Sequence, residues 1–165
     1  MKKLFLIRHA KSSWGESGLT DYERPLNKRG ERDAPFMAQL LKKEKINPDA
    51  VYSSPALRAI TTAEIFAGEI GFDLKKIIID DSIYDSGIRE LETIVQKISE
   101  SYKKVFLFGH NPAITLYANH LGNKLVTNIP TCGIVGIEFY VESWKDVERG
   151  KGKTFFFEFP KKYFD

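Results

Sequence analysis

The sequence has one cysteine, two methionines and three histidines in 165 residues, and each scarcity excludes something. With Cys132 as the single thiol, neither an internal disulfide nor a cysteine-rich metal site can form. The spacings H-E-x-x-H and H-x-H are missing, and no Asp or Glu adjoins His9 or His110, so no metal site is expected. No apolar run approaches the length of a membrane span. The two N-terminal lysines are followed by too few apolar residues for a signal-peptide core, which makes the cytoplasm the expected location. Neither repeats, low-complexity segments nor linkers are found. Positive charge is barely in excess, at a formal +3. The lysines and arginines that enrich the C-terminal part, Lys145 to Lys162, alternate with acids and aromatics as on a solvated face. A nucleic-acid footprint is therefore not indicated.

What remains, 42% hydrophobic and 28% charged residues, suits one soluble globular domain spanning residues 1–165. Short apolar runs alternate with helical periodicity. Lys3 to Ile7, Ala50 to Ser53, Lys76 to Asp80 and Lys104 to Phe108 read as strands, the first and last as strands buried on both faces. Between them, Lys28 to Glu44 carries Phe36, Met37, Leu40 and Leu41 on one helical stripe, with Pro35 predicting a kink or a later start. A helix after Pro55 carries Leu57, Ile60 and Ile65, with Ser53 or Ser54 as cap and Pro55 in its first turn. Another carries Leu91, Ile94, Val95 and Ile98, and a fourth, signalled by Asn111-Pro112, carries Ile114, Tyr117 and Leu121. Gly133 to Val141 and Thr154 to Phe159 are strand-like with no helix between them, which predicts a hairpin. The expected fold is α/β: a three-layer sandwich with a mainly parallel central sheet, helices on both faces and at least one antiparallel strand near the C-terminus.

In such a sheet ligands bind outside the carboxyl ends of the strands. Three of those ends carry Arg8-His9, Arg58 in the first turn of the following helix, and Gly109-His110. Two guanidinium forks match phosphoryl oxygens. Helix N-termini after Ser54 and Asn111 add free N–H groups, and an imidazole with one bare nitrogen can act as a nucleophile. A long polar loop, Lys11 to Asn27, lies over this edge, and loops of that length in a compact domain are often functional.

The stretches LFLIRHAKSSW (Leu4 to Trp14), SPALRAITTAE (Ser54 to Glu64) and GHNP (Gly109 to Pro112) resemble the histidine phosphatase superfamily, and within it the small phosphohistidine phosphatases of the SixA type. The resemblance runs from Leu4 to about Ile137 and implies a phosphoglycerate mutase-like fold and a phosphatase that needs no cofactor. By similarity His9 is the nucleophile, Arg8 and Arg58 hold the phosphoryl oxygens, His110 completes the pocket, and Ser12 stands where a small hydroxyl residue approaches the phosphate. Ala10 replaces the usual glycine after the nucleophile. Family members that cleave esters use a carboxylic acid, usually glutamate, to protonate the leaving oxygen; here Asp85 is the only carboxylate near that place. Weak provision for an acid favours a phosphoramidate, because imidazole leaves neutral when its other nitrogen holds a proton.

The implied partner is a histidine-phosphorylated protein such as a phosphotransfer domain. Two alternatives stay open: a small-molecule phosphomonoesterase with Asp85 as general acid, and a non-catalytic phosphoprotein-binding module. His120 reads as a structural or solvent-facing residue and Cys132 as packing. Trp14 and Tyr22 suit either packing or a rim for a protein-borne substrate.

Overall fold

A computed structural model describes residues 1–14 and 18–164; Gly15, one of the residues punctuating the expected loop, lies outside them. The order of elements is β1 (Lys2–Arg8), α1 (Lys28–Lys43), β2 (Ala50–Ser53), α2 (Leu57–Ile70), β3 (Ile78–Ile79), α3 (Ile88–Gln96), β4 (Lys104–Gly109), α4 (Ala113–Leu121), β5 (Ile134–Phe139) and β6 (Lys153–Glu158). The strands form one sheet in the order β3-β2-β4-β1-β5-β6. β1 to β4 run parallel, whereas β5 is antiparallel to both β1 and β6. The α/β sandwich with a mainly parallel sheet and an antiparallel C-terminal pair is thus as the residue pattern predicted.

Successive side chains on a strand point to opposite faces, and here both faces are buried. Leu4 and Leu6 of β1, with Val105 and Leu107 of β4, join the core under α3 and α4, which supply Leu91, Ile94, Ile114 and Tyr117. Phe5 and Ile7, with Phe106 and Phe108, join the opposite core under α1 and α2, where Met37, Leu41 and Phe66 meet them. Each fully buried side chain of this size contributes about 1.5–3 kcal/mol, so the central pair β1–β4 anchors both layers.

Local details depart from the pattern in three places. The run Ile77-Ile78-Ile79 gives only a two-residue edge strand, and Ile78 and Ile79 are 38% and 44% exposed. An edge has a partner on one side only, so apolar content alone does not extend it. Pro35 neither delays nor ends α1, which runs from Lys28, with the Asn27 side chain accepting a hydrogen bond from the Gly30 N–H. Neither Ser53 nor Ser54 caps α2, which follows Ala56, whereas α4 begins directly after the Asn111-Pro112 signal.

The segment after β1 is pinned back on the sheet edge. Ser13 N–H donates to the Pro25 carbonyl, Asn27 N–H to the Lys11 carbonyl, and Ser12 pairs with Leu26. These bonds carry the single helical turn Asp21–Glu23 towards the ends of β1 and α2. The close approach has a sequence requirement, because a Cβ on Gly30 would stand 2.2 Å from the Lys11 carbonyl oxygen. Gly30→Ala is expected to lower stability by about 1–3 kcal/mol, as overpacking of buried contacts does. Chemical denaturation checks this; an unchanged midpoint would mean that the Lys11 backbone yields freely.

Candidate active site

The switch point of the sheet lies between β1 and β4, since the chain leaves β1 towards β2 and leaves β4 towards β5. In the parallel register Arg8 stands opposite Gly109. Two further hydrogen bonds extend the pairing beyond the strands: His9 N–H to the Gly109 carbonyl at 3.1 Å and Ser54 N–H to the Phe108 carbonyl at 3.1 Å. Register therefore sets His9 beside His110, with ring centroids 5.1 Å apart. Arg8, His9, Ser12, Arg58 and His110 line one cleft of about 210 Å³, with Trp14, Arg24 and Asn111 also on its wall.

The tautomer of His9 follows from its partner. Nδ1 lies 2.8 Å from the Ala10 carbonyl oxygen, which can only accept, so Nδ1 carries the proton and Nε2 keeps a bare lone pair. The Ala10 N–H is itself held by Thr62 Oγ1, which donates to the Arg58 carbonyl one turn earlier in α2. Burial drives the His9 pKa down to about 3, and the neighbouring His110, Arg58 and Arg8 push the same way against the Ala10 bond. His110, also lowered chiefly by burial, falls to about 4. Both rings are neutral at pH 7.

The donors around them are only partly used. Arg8 Nη1 donates to the Ile129 carbonyl at 3.0 Å. Arg58 donates from Nη1 to the Asp21 carbonyl at 2.7 Å and from Nη2 to Asp21 Oδ2 at 3.0 Å. Buried Arg8 Nε, Arg58 Nε and His110 Nδ1 have no hydrogen-bond partner among the described residues. His110 Nε2 lies 2.7 Å from Ser54 Oγ, which also accepts from the Ala56 N–H; with that hydroxyl donating to Nε2, the ring proton sits on Nδ1. On that assignment Nδ1 of His110 is a third unspent donor. An oxyanion with several acceptor oxygens matches this set.

Ser12 lines the cleft, but its Oγ is engaged by Arg24 Nη1 at 2.8 Å. Asp85 is not on the wall with His9; it lines an adjoining cleft with Asp21, Arg58, Tyr84, His110 and Asn111. Asp21, Arg24 and Tyr84 went unnoticed in the sequence. Asp21 accepts from Arg58, from Arg24 Nε at 3.1 Å and from the Tyr84 hydroxyl at 2.6 Å. The Tyr84 bond leads, with Arg58 and Arg24, in holding its carboxyl down at about 2. Trp14 stacks under the Arg24 guanidinium at 3.5 Å, and Tyr22 meets Tyr84 edge to face; the two rings are 75% and 40% exposed. His120 approaches Glu92 and stacks on Tyr117, remote from these groups in the fold. Cys132 is fully buried and its N–H donates to the Arg8 and His9 carbonyls, closing the turn behind them.

Comparison with known proteins places this arrangement. The profile of the histidine phosphatase superfamily (branch 1) matches residues 4–106. The chain belongs to that superfamily and is an enzyme of its phosphoric hydrolase class. Its fold is that of the SixA proteins: the one from Agrobacterium tumefaciens superposes with a TM-score of 0.81 at 24% identity, covering 96% of this chain and 98% of that one. The protein histidine phosphatase SixA complexed with tungstate superposes with a TM-score of 0.83 at 20% identity, covering 97% and 98%. An uncharacterised chloroplast protein of Arabidopsis thaliana is 29% identical over 153 residues, 88% of this chain and 70% of its own length. Other curated relatives are longer, and the chain spans 25% to 58% of them. Among the described residues no cluster of three or more His, Cys, Asp or Glu suits a metal, and no helix is long and apolar enough to cross a membrane.

The depressed histidines carry a pH consequence. Below the ordinary value of 6.5 the unfolded chain takes up protons that folded His9 and His110, at about 3 and 4, refuse. Stability therefore falls as pH drops through that window. Unfolding free energies from pH 7 to 4.5 should decline less steeply in His110→Asn. Carbon and nitrogen shifts of the His9 ring should show the Nδ1–H tautomer with no titration above pH 5; a midpoint near 6.5 would refute the buried neutral ring.

Proposed function

We propose that this protein is a phosphohistidine phosphatase that transfers the phosphoryl group of a histidine-phosphorylated protein to its own His9 and then to water. The observation that carries the reading is the pairing of a bare His9 Nε2 with three unspent buried donors on Arg8, Arg58 and His110 around one cleft. The tungstate held by a SixA relative of the same fold is a tetrahedral oxyanion of the kind such donors suit.

In the first step His9 Nε2 forms a bond to phosphorus as the bond from phosphorus to the substrate imidazole breaks. The leaving ring departs neutral when its second nitrogen is protonated. Phosphorylated His9 keeps its Nδ1 proton on the Ala10 carbonyl and carries the positive charge. Water then attacks phosphorus, giving dihydrogen phosphate and the original neutral His9. Arg8 and Arg58 neutralise the phosphoryl oxygens in a low-dielectric setting, where fixed charges act strongly. The protonation states favour phosphoramidate over ester. His9 and His110 are neutral and Asp21 is ionised at pH 7, so none of the three offers an acidic proton to an alkoxide. The exposed rings of Trp14 and Tyr22 near the cleft mouth suit a protein-borne substrate.

Hydrolysis of a histidine-phosphorylated phosphotransfer domain, measured in chelator against a panel of phosphomonoesters, tests the reading. The protein substrate should be preferred, a phosphoenzyme should be trapped on His9, and His9→Ala should lose turnover. Arg8→Ala and Arg58→Ala should each fall about 10²- to 10³-fold in kcat. Preference for an ester would turn the reading towards a metabolic phosphatase, and turnover without His9 would end the covalent route.

A further inference from the structure

Beside the cleft that holds His9 lies a second one of about 350 Å³, and the two share Arg58, His110 and Asn111. A phosphoryl group held in the first would therefore have the second cleft next to it, across those three residues. The walls differ in charge. Arg8, Arg24, Lys11 and Arg58 line the first, whereas the second sets Asp21 and Asp85 against Arg58 alone. Arg58, 5% exposed, spends two donors on Asp21 and keeps Nε unpaired. What it offers the second cleft is thus largely cancelled by Asp21.

Asp21 is built to hold an acceptor in place. Its carboxylate takes one bond from Arg24 on Oδ1 and bonds from Arg58 and Tyr84 on Oδ2, which leaves about one of its four lone-pair positions. The side chain is 45% exposed and lines the second cleft. Asp85 comes from the turn just after Tyr84, at a φ of 53° that favours few residue types besides Gly, Asn and Asp.

We propose that Asp21 and Asp85 form a leaving-group subsite that selects a cation: they accept the N–H of the protonated substrate imidazole and repel leaving groups that carry a carboxylate. The proposal rests on the phosphohistidine reading and gives it a physical basis for specificity. Holding the proton on the substrate ring is what lets that ring leave neutral as the bond to phosphorus breaks, so the carboxylates stabilise the reactive protonation state rather than donate a proton. Rejection of anionic leaving groups follows from like-charge juxtaposition.

The test is a ratio, because Asp21 also orients Arg58 and its loss slows every substrate. Values of kcat/KM are compared for phosphoimidazole, for 4-nitrophenyl phosphate, whose leaving group needs no proton, and for 3-phosphoglycerate. In wild type the order should be phosphoimidazole, then 4-nitrophenyl phosphate, then phosphoglycerate. Asp85→Asn, with a residue that tolerates the same backbone, and Asp21→Asn should each reduce the ratio of phosphoimidazole to 4-nitrophenyl phosphate by roughly tenfold, the range of one charge-assisted hydrogen bond. Each should also narrow the gap between the two esters. Tungstate binding checks that the phosphoryl site survives in each variant. Unchanged ratios in both variants would overturn the subsite while leaving the phosphohistidine reading intact. Selective loss of ester hydrolysis in Asp85→Asn would overturn it in favour of a general acid. A wild type that prefers phosphoglycerate would overturn the underlying reading and the subsite with it.

Discussion

In the middle of the sheet β1 pairs with β4, and the hydrogen bonding does not stop at the last paired residues: the His9 N–H still reaches the Gly109 carbonyl. That extra bond sets the relative position of two imidazoles 101 positions apart in the chain, His9 and His110, to within the reach of one phosphoryl group. The strands beneath are buried on both faces by α1 and α2 on one side and α3 and α4 on the other. A one-residue slip would turn Leu4 and Leu6 into the wrong core and carry His9 away from His110. Packing of the cores and geometry of the site are thus one constraint.

Bringing four nitrogen bases together at a buried edge has an electrostatic cost, and the protein meets it in two ways. The histidines give up their charge, since burial and two nearby guanidinium groups leave them neutral. Asp21 supplies the counter-ion of Arg58, held in turn by Arg24 and Tyr84, whereas Arg8 donates to the Ile129 carbonyl. In the proposed reaction neutral His9 attacks without first losing a proton, and its orientation comes from the Ala10 carbonyl. Asp21 lines only the second of the two adjoining clefts, the one that also holds Asp85.

The strands of the site were legible in the residue pattern because both faces are buried, and continuous apolar runs such as Leu4 to Ile7 and Val105 to Phe108 leave few alternatives. The edge strand was overextended because Ile77 to Ile79 looks the same in sequence whether or not it is covered. Ser54 looked like a helix cap and instead reaches His110; Asn111 marked the start of α4 correctly, but its side chain donates to Asn128 and the Ile129 carbonyl and accepts from Thr115. Local polarity marked these positions without telling which partner would win.

Arg8, His9, Arg58 and His110 were assigned to one edge by the sequence alone, since each follows or adjoins a strand end and parallel strands align those ends. The sequence could likewise exclude disulfides, cysteine-rich metal sites and long apolar spans, because composition settles such matters without a fold. Only the tertiary structure decided the tautomer of His9, the neutrality of both rings and the place of Asp21. These depend on burial and on contacts across 37 residues to Arg58 and 63 to Tyr84. A carboxylate in an aperiodic loop carries no signature of its partners, so its part in the site is written in folded space.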